Sequence, residues 1–298
     1  MTQLWSYKAE DTIYGLAFND SGNLGVASAD HCAYTLDPNG NLLNKVCRND
    51  FMYDVSYSDG RFGLINFDDH TYITDENGNL IKKIHVGDDY DSAITLVLNG
   101  FVACAERCAF FDFNGNKLWD VDVGIVENGP SYYQGYWYVA DYNWDKLLII
   151  KDGSIVKEIS YGEGVYDTTI CGKYLAVSTC CSLYLYDLSD PKNPKEIWKA
   201  KGFDWVRQVA FSPDCKYIAV ADTYNNKLKI YDINGNLVLG KSFNAVVVSV
   251  AWWRNRLAVG LEDGTIHVYR VAHLAATFAI ADKKRDKGFS LYSFNSSV

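Results

Sequence analysis

The chain has 298 residues, of which 48% are hydrophobic and 22% charged, and a formal net charge of −9. Such a composition can bury a large core, which excludes global disorder. The negative balance argues against a nonspecific nucleic-acid binder and favours a basic partner or a cation.

The N-terminal segment, from Leu4 to Lys8, is predicted to be a strand that stands outside the repeat described below. No basic stretch followed by an apolar run precedes it, so no export signal is predicted. No window of the chain reaches the roughly 18 apolar residues of a membrane helix. We therefore expect no membrane span, a cytoplasmic location and reduced thiols. The eight cysteines contain no CxxC pair, so we interpret them as small buried residues and not as a zinc site.

Two phases of an internal repeat follow in chain order. A small residue before an apolar or aromatic one recurs at intervals of 36 to 41 residues, at Ala17-Phe18, Ser56-Tyr57, Thr95-Leu96, Ser131-Tyr132, Thr169-Ile170, Ala210-Phe211 and Ala251-Trp252. Tight-turn dipeptides recur between these seven anchors, at Asn39-Gly40, Asn77-Gly78, Asn114-Gly115, Asp152-Gly153 and Asn234-Gly235. Asn-Gly and Asp-Gly favour positive φ angles, so each marks a β-hairpin. Seven anchors predict seven repeat units.

Each unit is predicted to contain four strands, as the sixth shows. Its strands are Val206 to Phe211, Lys216 to Val220, Lys227 to Asp232, and a fourth that begins at Leu237. The third strand alternates Lys, Leu, Lys and Ile with a period of two. Four short strands in about 40 residues are typical of a propeller blade.

The seventh unit has three predicted strands, Val247 to Trp252, Arg256 to Gly260 and Thr265 to Val271, and lacks an outer one. The orphan N-terminal strand can supply it and close the ring, which removes two free sheet edges. We predict an all-β fold, a seven-bladed β-propeller over residues 1–271, with a short C-terminal extension over 272–298. In that extension Leu274, Phe278 and Ala281 fit an amphipathic helix, and Phe289, Leu291 and Phe294 are expected to dock against the propeller.

These segments resemble the WD40-like and PQQ-like β-propeller superfamily. The run from Val209 to Asp222 is similar to the WD40 pattern, Tyr186-Asp187 and Tyr231-Asp232 stand where that family places Trp-Asp, and Gly115 to Trp119 is similar to the PQQ-like turn. No blade carries the Gly-His or Trp-Asp dipeptide of a regular WD40 repeat. The resemblance covers nearly the whole chain and implies a platform that binds other proteins.

One constellation of residues is phased with the repeat. Six residues before the anchors stand acids in five of the seven blades: Asp11, Asp50, Asp89, Glu163 and Asp204. Three residues before the anchors stand Tyr14, Tyr53, Ser92, Asn128, Tyr166, Arg207 and Val248. Because the inner strand of each blade lines the central channel, these positions place carboxylates and tyrosines around one mouth of it. Glu127 is a substitute for the missing acid of the fourth blade.

We predict that this acidic and aromatic face binds a partner, with Trp205 beside the acids and tyrosines as a contact residue. The turns between second and third strands are expected to add acids to it: Asp30, Asp68, Asp69, Glu106, Asp141, Asp222, Glu262 and Asp263. The competing structural interpretation is that a carboxylate before a strand accepts backbone N–H bonds of its own turn.

The sequence contains no motif of a known catalytic site, so it favours a non-catalytic platform without a cofactor or metal. The partner is predicted to be a protein of basic character, not a nucleic acid, and the chain to be a monomer or a subunit of a hetero-complex. Two alternatives remain. One is a metal-dependent hydrolase of the propeller lactonase type with Asp50, Asn128, Glu163 and Asp204 as ligands, and the other is a structural subunit. Minor hypotheses are a metal between His31 and His70 and a vicinal disulfide, Cys180–Cys181, of the kind found in quinone dehydrogenases.

Overall fold

The structure is a computed structural model that describes residues 1–271. The predicted C-terminal helix, and the aromatic residues that are expected to dock against the propeller, lie outside the described residues. Within residues 1–271 the chain forms 28 strands in seven four-stranded antiparallel sheets, with two short 3-10 turns at Asp88–Tyr90 and Thr223–Asn225. The predicted all-β, seven-bladed propeller is therefore confirmed.

Each of the first six blades is a meander of consecutive strands from the channel outward. Blades one to three contain β2 (Ile13–Phe18), β3 (Leu24–Ser28), β4 (Cys32–Leu36), β5 (Leu42–Cys47); β6 (Met52–Ser58), β7 (Arg61–Asn66), β8 (His70–Thr74), β9 (Leu80–His85); and β10 (Ala93–Val97), β11 (Gly100–Cys104), β12 (Arg107–Asp112), β13 (Lys117–Asp122). Blades four to six contain β14 (Ser131–Tyr133), β15 (Tyr136–Asp141), β16 (Lys146–Lys151), β17 (Ser154–Ser160); β18 (Val165–Cys171), β19 (Tyr174–Thr179), β20 (Ser182–Asp187), β21 (Lys195–Lys201); and β22 (Val206–Phe211), β23 (Tyr217–Asp222), β24 (Lys227–Asp232), β25 (Leu237–Ser242).

The seventh blade is built from both ends of the ring. Its inner strands are β26 (Val247–Trp253), β27 (Arg256–Leu261) and β28 (Thr265–Arg270), and its outer strand is β1 (Thr2–Lys8). β1 pairs antiparallel with β28, from Thr2 opposite Arg270 to Lys8 opposite Thr265. The N-terminal strand completes the last blade, as the sequence predicts.

Seven clusters of buried side chains hold the described ring together, one between each pair of neighbouring blades. The cluster that joins blades seven and one packs Ile266 and Val268 against Ile13 and Leu24. Because both faces of every sheet are covered by a neighbour, the middle strands are buried almost throughout and their apolar runs are nearly continuous.

The two ends of the channel differ in their connections. We call the end at which the inner strands begin the mouth face; it carries the connections between blades and the turns between second and third strands. We call the opposite end the turn face; it carries the turns between first and second and between third and fourth strands, including the Asn-Gly turns.

The Asn-Gly hairpins form as predicted, but in a longer type of turn. Only the glycine has a positive φ, for example 85° at Gly78 and 87° at Gly115. The strand register shifts by one residue just before each of these turns, as at Thr35/Leu36. A turn with one left-handed glycine and a bulge replaces the two-residue turn. Asp152-Gly153, with positive φ at both residues, is the tight two-residue form.

The expectation of eight reduced thiols is wrong for this structure. All eight cysteines are paired, as Cys32–Cys47, Cys104–Cys108, Cys171–Cys215 and Cys180–Cys181. Two of the pairs are cross-strand neighbours in register, Cys32 opposite Cys47 and Cys104 opposite Cys108. Irregular spacing along the chain hid these pairs, because the sheet register sets which cysteines meet. The pairing also removes the thiol argument for a cytoplasmic location.

Candidate functional site

The five predicted acids lie at the mouth face in the connections that lead into the inner strands. We call Asp11, Asp50, Asp89, Glu163 and Asp204 the rim acids. Asp11 and Asp204 are exposed, and Asp50, Asp89 and Glu163 are half-buried. Asp89 lies in the 3-10 turn that precedes β10.

Three of the five rim acids accept hydrogen bonds within the fold, Glu163 from the Thr179 hydroxyl at 2.7 Å. Asp11 and Asp50 each accept one N–H bond from the next residue, at 2.7 Å from Thr12 and 2.8 Å from Phe51. The side chains of Asp89 and Asp204 accept no hydrogen bond from any residue in 1–271. The structural interpretation, in which each carboxylate satisfies its own turn, therefore fails for Asp89 and Asp204.

A second set of acids positions the connections that carry the rim. Asp30 accepts the backbone N–H of Glu10 at 3.1 Å, Asp141 that of Gly124 at 2.6 Å, and Asp222 that of Asp204 at 2.8 Å. We call Asp30, Asp141 and Asp222 the clip acids, since each ties the turn of its own blade to the incoming connection.

The prediction that all the acids in the turns between second and third strands add charge to the mouth face is wrong for two of the clip acids. Asp141 and Asp222 are completely buried, so they add no exposed charge to the mouth face. Asp222 also forms an ion pair with Lys229 at 2.8 Å. Asp68 accepts the Tyr72 hydroxyl at 2.5 Å and the backbone N–H of His70. The fold uses these members of the predicted set, whereas Asp89 and Asp204 on the rim remain available to a ligand.

Aromatic rings form two clusters at the mouth. The first aromatic cluster, Tyr14, Phe51, Tyr53 and Phe67, belongs to blades one and two, with 4.5 Å between the ring centroids of Tyr14 and Tyr53. The second aromatic cluster, Tyr142, Tyr166, Trp205 and Tyr224, joins blades four to six, with 5.5 Å between Tyr166 and Trp205 and 5.0 Å between Trp205 and Tyr224. The predicted Tyr14, Tyr53, Tyr166 and Trp205 are thus divided between two places.

Arg207 distinguishes the two clusters. Its guanidinium lies 5.4 Å from the ring centroid of Tyr14 and 5.8 Å from that of Tyr53, and it donates to the backbone oxygens of Tyr14 and Val248. The first aromatic cluster therefore already holds a cation. No Lys or Arg of residues 1–271 lies over a ring of the second cluster. The repeat places Arg207 at the position that tyrosines occupy in other blades. The sequence does not reveal that Arg207 contacts Tyr14 and Tyr53, because these two residues lie in other blades.

Two hydrogen-bonded amides, which we call the plug, cross the channel just below the mouth. The Gln208 side chain donates to the Asn128 side-chain oxygen at 2.9 Å, and Asn128 donates to the backbone oxygens of Tyr166 and Arg207 at 2.8 Å. Below this plug a cavity of about 160 Å³ opens toward the turn face. The small anchors of the repeat line it, which explains their size: Ala17, Ser56, Thr95, Ser131, Thr169, Ala210 and Ala251.

Two buried aspartates hold neighbouring inner strands together at the plug. Asp54 accepts the backbone N–H groups of Val55 and Ile94, both at 2.9 Å, and Asp167 those of Thr168 and Val209. Burial raises the pKa of Asp54 to about 7, although these N–H groups and Arg207 oppose the rise. Burial likewise raises the pKa of Asp167.

Glu127 joins the mouth from blade four. Burial raises the pKa of its carboxyl group, and the charge of Arg207 opposes the rise. Its carboxylate in turn acts electrostatically on Tyr14, Tyr53 and Tyr166, which come from three other blades. Burial raises the pKa of Tyr53 to about 12, so this ring stays neutral.

The structure does not assemble the metal ligands of the hydrolase alternative. Within residues 1–271 one group of three potential ligands lies close together, Glu163, Cys180 and Cys181. Both polar atoms of the Asn128 side chain are occupied by the plug. The two histidines of the other metal hypothesis, His31 and His70, pack on different rings. His70 packs on His85, with 5.0 Å between the ring centroids, and His31 packs on Phe51. None of the helices in residues 1–271 is long and apolar enough to cross a bilayer.

Comparison with known proteins agrees with this architecture. The model of the WD domain, G-beta repeat, matches residues 194–232, which is the outer strand of blade five and three strands of blade six. The crystal structure of a computationally designed protein, Ika8, is similar with a TM-score of 0.69 and 13% identity, over 91% of this chain and 100% of that chain. A search of curated protein sequences finds no match. The seven-bladed structure and the match of residues 194–232 support a WD40-like β-propeller, and the PQQ-like part of the resemblance stays a prediction.

Proposed function

We propose that this protein is an interaction platform whose mouth face binds a basic segment of a partner protein. The WD40 repeat and the propeller fold favour a platform in general. The observation that supports this face is the state of its rim acids, because the carboxylates of Asp89 and Asp204 have no hydrogen-bond donor within residues 1–271. Unpaired surface carboxylates around a concave centre attract cations.

The second aromatic cluster is the proposed contact point for a lysine or arginine of the partner. A cation over the face of Trp or Tyr gains roughly 0.5–2 kcal/mol, depending on how far it is desolvated. Asp204 precedes Trp205 in the chain, and Glu163 lies three residues before Tyr166, so acids flank these rings. Arg207 occupies the first cluster, which therefore repels a second cation.

The proposal assigns the binding function to residues 1–271 and treats 272–298 as an extension. It requires neither a cofactor nor a nucleic acid. The chain would act as a monomer or within a hetero-complex, because the face that binds the partner is separate from the sides of the blades.

The first experiment compares binding of short fluorescent peptides that contain several lysines or arginines. In Asp50→Asn/Asp89→Asn/Asp204→Asn we expect affinity to fall about tenfold, because charge contacts at the protein surface contribute up to about 1 kcal/mol each. The affinity of the wild-type protein should also fall as salt is added.

The matched control is Asp59→Asn/Asp152→Asn/Glu196→Gln. It removes three negative charges, as the rim variant does, but from other parts of the ring. Asp59 and Asp152 have positive φ, a conformation that Asn also tolerates. This variant should bind like the wild type. Equal binding by the rim variant and the control would contradict the proposed face.

The second experiment separates the two aromatic clusters. Tyr166→Leu should lower the affinity for the same peptides several-fold, because it removes a free cation–π surface. Tyr14→Leu should have the smaller effect, since Arg207 already covers that ring. If Tyr14→Leu lowered the peptide affinity more than Tyr166→Leu, the second aromatic cluster would not be the contact point, even if the mouth face bound the peptide.

A further inference from the structure

The pair Cys180–Cys181 differs from the other three cysteine pairs in what it connects. Cys171–Cys215 joins blades five and six across 44 residues, and Cys32–Cys47 closes 15 residues. A disulfide stabilises mainly by closing a loop of the unfolded chain, and the gain grows with loop length. Cys180 and Cys181 are adjacent, so their bond closes no loop. Stability therefore does not explain this pair.

Its surroundings are those of a ligand site. Cys180 and Cys181 form the two-residue connection between β19 and β20 at the mouth face. The Cys180 sulfur lies 3.0 Å from Glu163 Oε2, and the Thr179 hydroxyl donates to Glu163 Oε1 at 2.7 Å. One donor atom from each of Glu163, Cys180 and Cys181 lies within 4.8 Å of the others. No other pair has such a third ligand within residues 1–271.

The contact between Cys180 and Glu163 has a different meaning in the two redox states. A thiol can donate a hydrogen bond to the carboxylate, whereas a disulfide sulfur carries no hydrogen to donate. Reduction therefore changes this edge of the mouth from a disulfide beside an acid to two thiols beside an acid. Two sulfurs and a carboxylate oxygen are a donor set that Zn²⁺ and other thiophilic divalent cations prefer.

We propose that Cys180, Cys181 and Glu163 bind one thiophilic divalent cation when the two cysteines are reduced. Reduction by a phosphine consumes one water, breaks the S–S bond and yields two thiols and the phosphine oxide. The cation then displaces the two thiol protons and takes the carboxylate as its third protein ligand. Exchange of the two metal-bound thiolates with a small-molecule disulfide re-forms the bond between Cys180 and Cys181, releases two small thiolates, which take up protons from water, and expels the cation.

The site includes one of the rim acids, Glu163, but does not depend on the proposed partner. Cys181 is exposed, so a reductant can reach it, whereas Cys104 and Cys108 are fully buried. The backbone N–H of Trp205 donates to the backbone oxygen of Cys180 at 2.5 Å. Metal binding at Cys180 would thus occur one hydrogen bond away from the second aromatic cluster.

The test is a titration of the phosphine-reduced full chain with Cd²⁺, after removal of the phosphine and without oxygen. The cadmium–thiolate absorption band gives the stoichiometry, and alkylation with mass spectrometry identifies the reduced cysteines. We expect the wild type to bind one Cd²⁺ per chain more than Cys180→Ser/Cys181→Ser. Glu163→Gln should bind this cation at least about tenfold more weakly.

Cys104→Ser/Cys108→Ser is the matched control and should retain the cation. Cys181→Ser alone, at an exposed position, provides a second variant if the double variant does not fold. The site would be overturned if the wild type and Cys180→Ser/Cys181→Ser bound the same number of Cd²⁺ ions per chain. It would also be overturned if the wild type bound no Cd²⁺ although alkylation of a parallel sample showed that both cysteines were reduced. Undiminished affinity in Glu163→Gln would remove the carboxylate from it.

Discussion

The acids of the turn face and those of the mouth face differ in how many hydrogen bonds they accept. At the turn face each of four aspartates accepts two backbone N–H bonds and one side-chain amide N–H bond: Asp37, Asp75, Asp112 and Asp232. At the mouth face the side chains of Asp89 and Asp204 accept no hydrogen bond within residues 1–271. The four turn-face acids share the pattern Asp-x-Asn-Gly-Asn. Their donors stand two and four residues later, and the left-handed glycine folds the turn back so that these donors meet the carboxylate. Asp204 is followed by Trp205 and Val206, which provide no such turn.

The role of an acid in this ring is therefore decided by the hydrogen-bond donors within its reach and not by its place in the repeat. The mouth face contains both kinds. Asp222 is buried and bonded to the connection that carries Asp204, which is exposed and unpaired. The fold thus uses one acid to hold another at the surface.

The largest expected effect is on the pair Asp222 and Asp204. Asp222→Ala removes the partner of Lys229, whose side chain is only 15% exposed, and leaves the N–H of Asp204 without its acceptor. Breaking a buried ion pair costs about 3–5 kcal/mol. Urea unfolding should show this loss for Asp222→Ala and none for Asp204→Ala. Similar urea midpoints for the two variants would contradict the proposal that the clip acids stabilise the fold and that the rim acid Asp204 does not.

The second effect concerns Asp54, the buried acid between the faces. Its pKa of about 7 in the folded chain exceeds the value of about 3.9 expected in the unfolded chain. Between these values the folded state binds more protons, so the free energy of unfolding should fall as pH rises from about 4 to about 7. Asp167 adds to this slope in the same direction.

Asp54→Asn should reduce this slope, leaving the parts due to Asp167 and Glu127, whose pKa values burial also raises. It should also cost about 1–3 kcal/mol at low pH, because an amide nitrogen cannot accept one of the two N–H bonds. The measurement is urea unfolding at a series of pH values. A slope as steep in Asp54→Asn as in the wild type would show that the carboxylate is not the titrating group.

The periodic features of the chain were sufficient to predict the fold. The small anchors and the Asn-Gly turns repeat because every blade must satisfy the same constraints, a narrow channel and a reversal of the chain. β1 was predictable because Trp5 stands in the same context as Trp119 and Trp198 in other outer strands. In the structure Trp5 and Trp198 donate their indole N–H to a backbone oxygen in a turn of the next blade.

The site was predictable only in part. The period placed the rim acids and the tyrosines at one mouth, but it could not separate exposed from buried acids. Arg207 crosses the channel to Tyr14, 193 residues away in sequence, and no local pattern encodes that contact. The cysteine pairs likewise depend on strand register and on contact between blades, so spacing along the chain gave the wrong expectation.

A third prediction tests why the turn-face acids find their donors. Gly115 has a φ of 87°, and a Cβ there would meet only Ile84, at 3.5 Å. Gly115→Ala should therefore cost about 1–2 kcal/mol, the price of a left-handed L-residue alone. At Gly78, with a φ of 85°, a Cβ would also collide with the Thr35 side chain, so Gly78→Ala should cost more. Equal losses in thermal unfolding would show that the turn relaxes around the added methyl group.

The smallest expected effect lies on the rim itself. Asp204→Asn should change the free energy of unfolding by no more than about 0.5 kcal/mol, since it breaks no hydrogen bond. Asp75→Asn should cost more, because its new amide nitrogen would face the side-chain nitrogen of Asn79, and both nitrogens can only donate. Burial alone would raise the pKa of Asp75, but the hydrogen bonds from Asn79 and Asn77 outweigh it and lower the pKa.

The acid limb of the stability curve tests Asp75 further. A lowered folded pKa means that the contribution of Asp75 is present above about pH 4 and is lost as pH falls through its folded value. Asp75→Asn should flatten that loss, and urea unfolding at a series of acid pH values measures it. An acid limb as steep in Asp75→Asn as in the wild type would show that the hydrogen bonds of the turn do not stabilise the charged form of this carboxyl group, and the contrast between the turn-face acids and the unpaired Asp204 would lose its energetic basis.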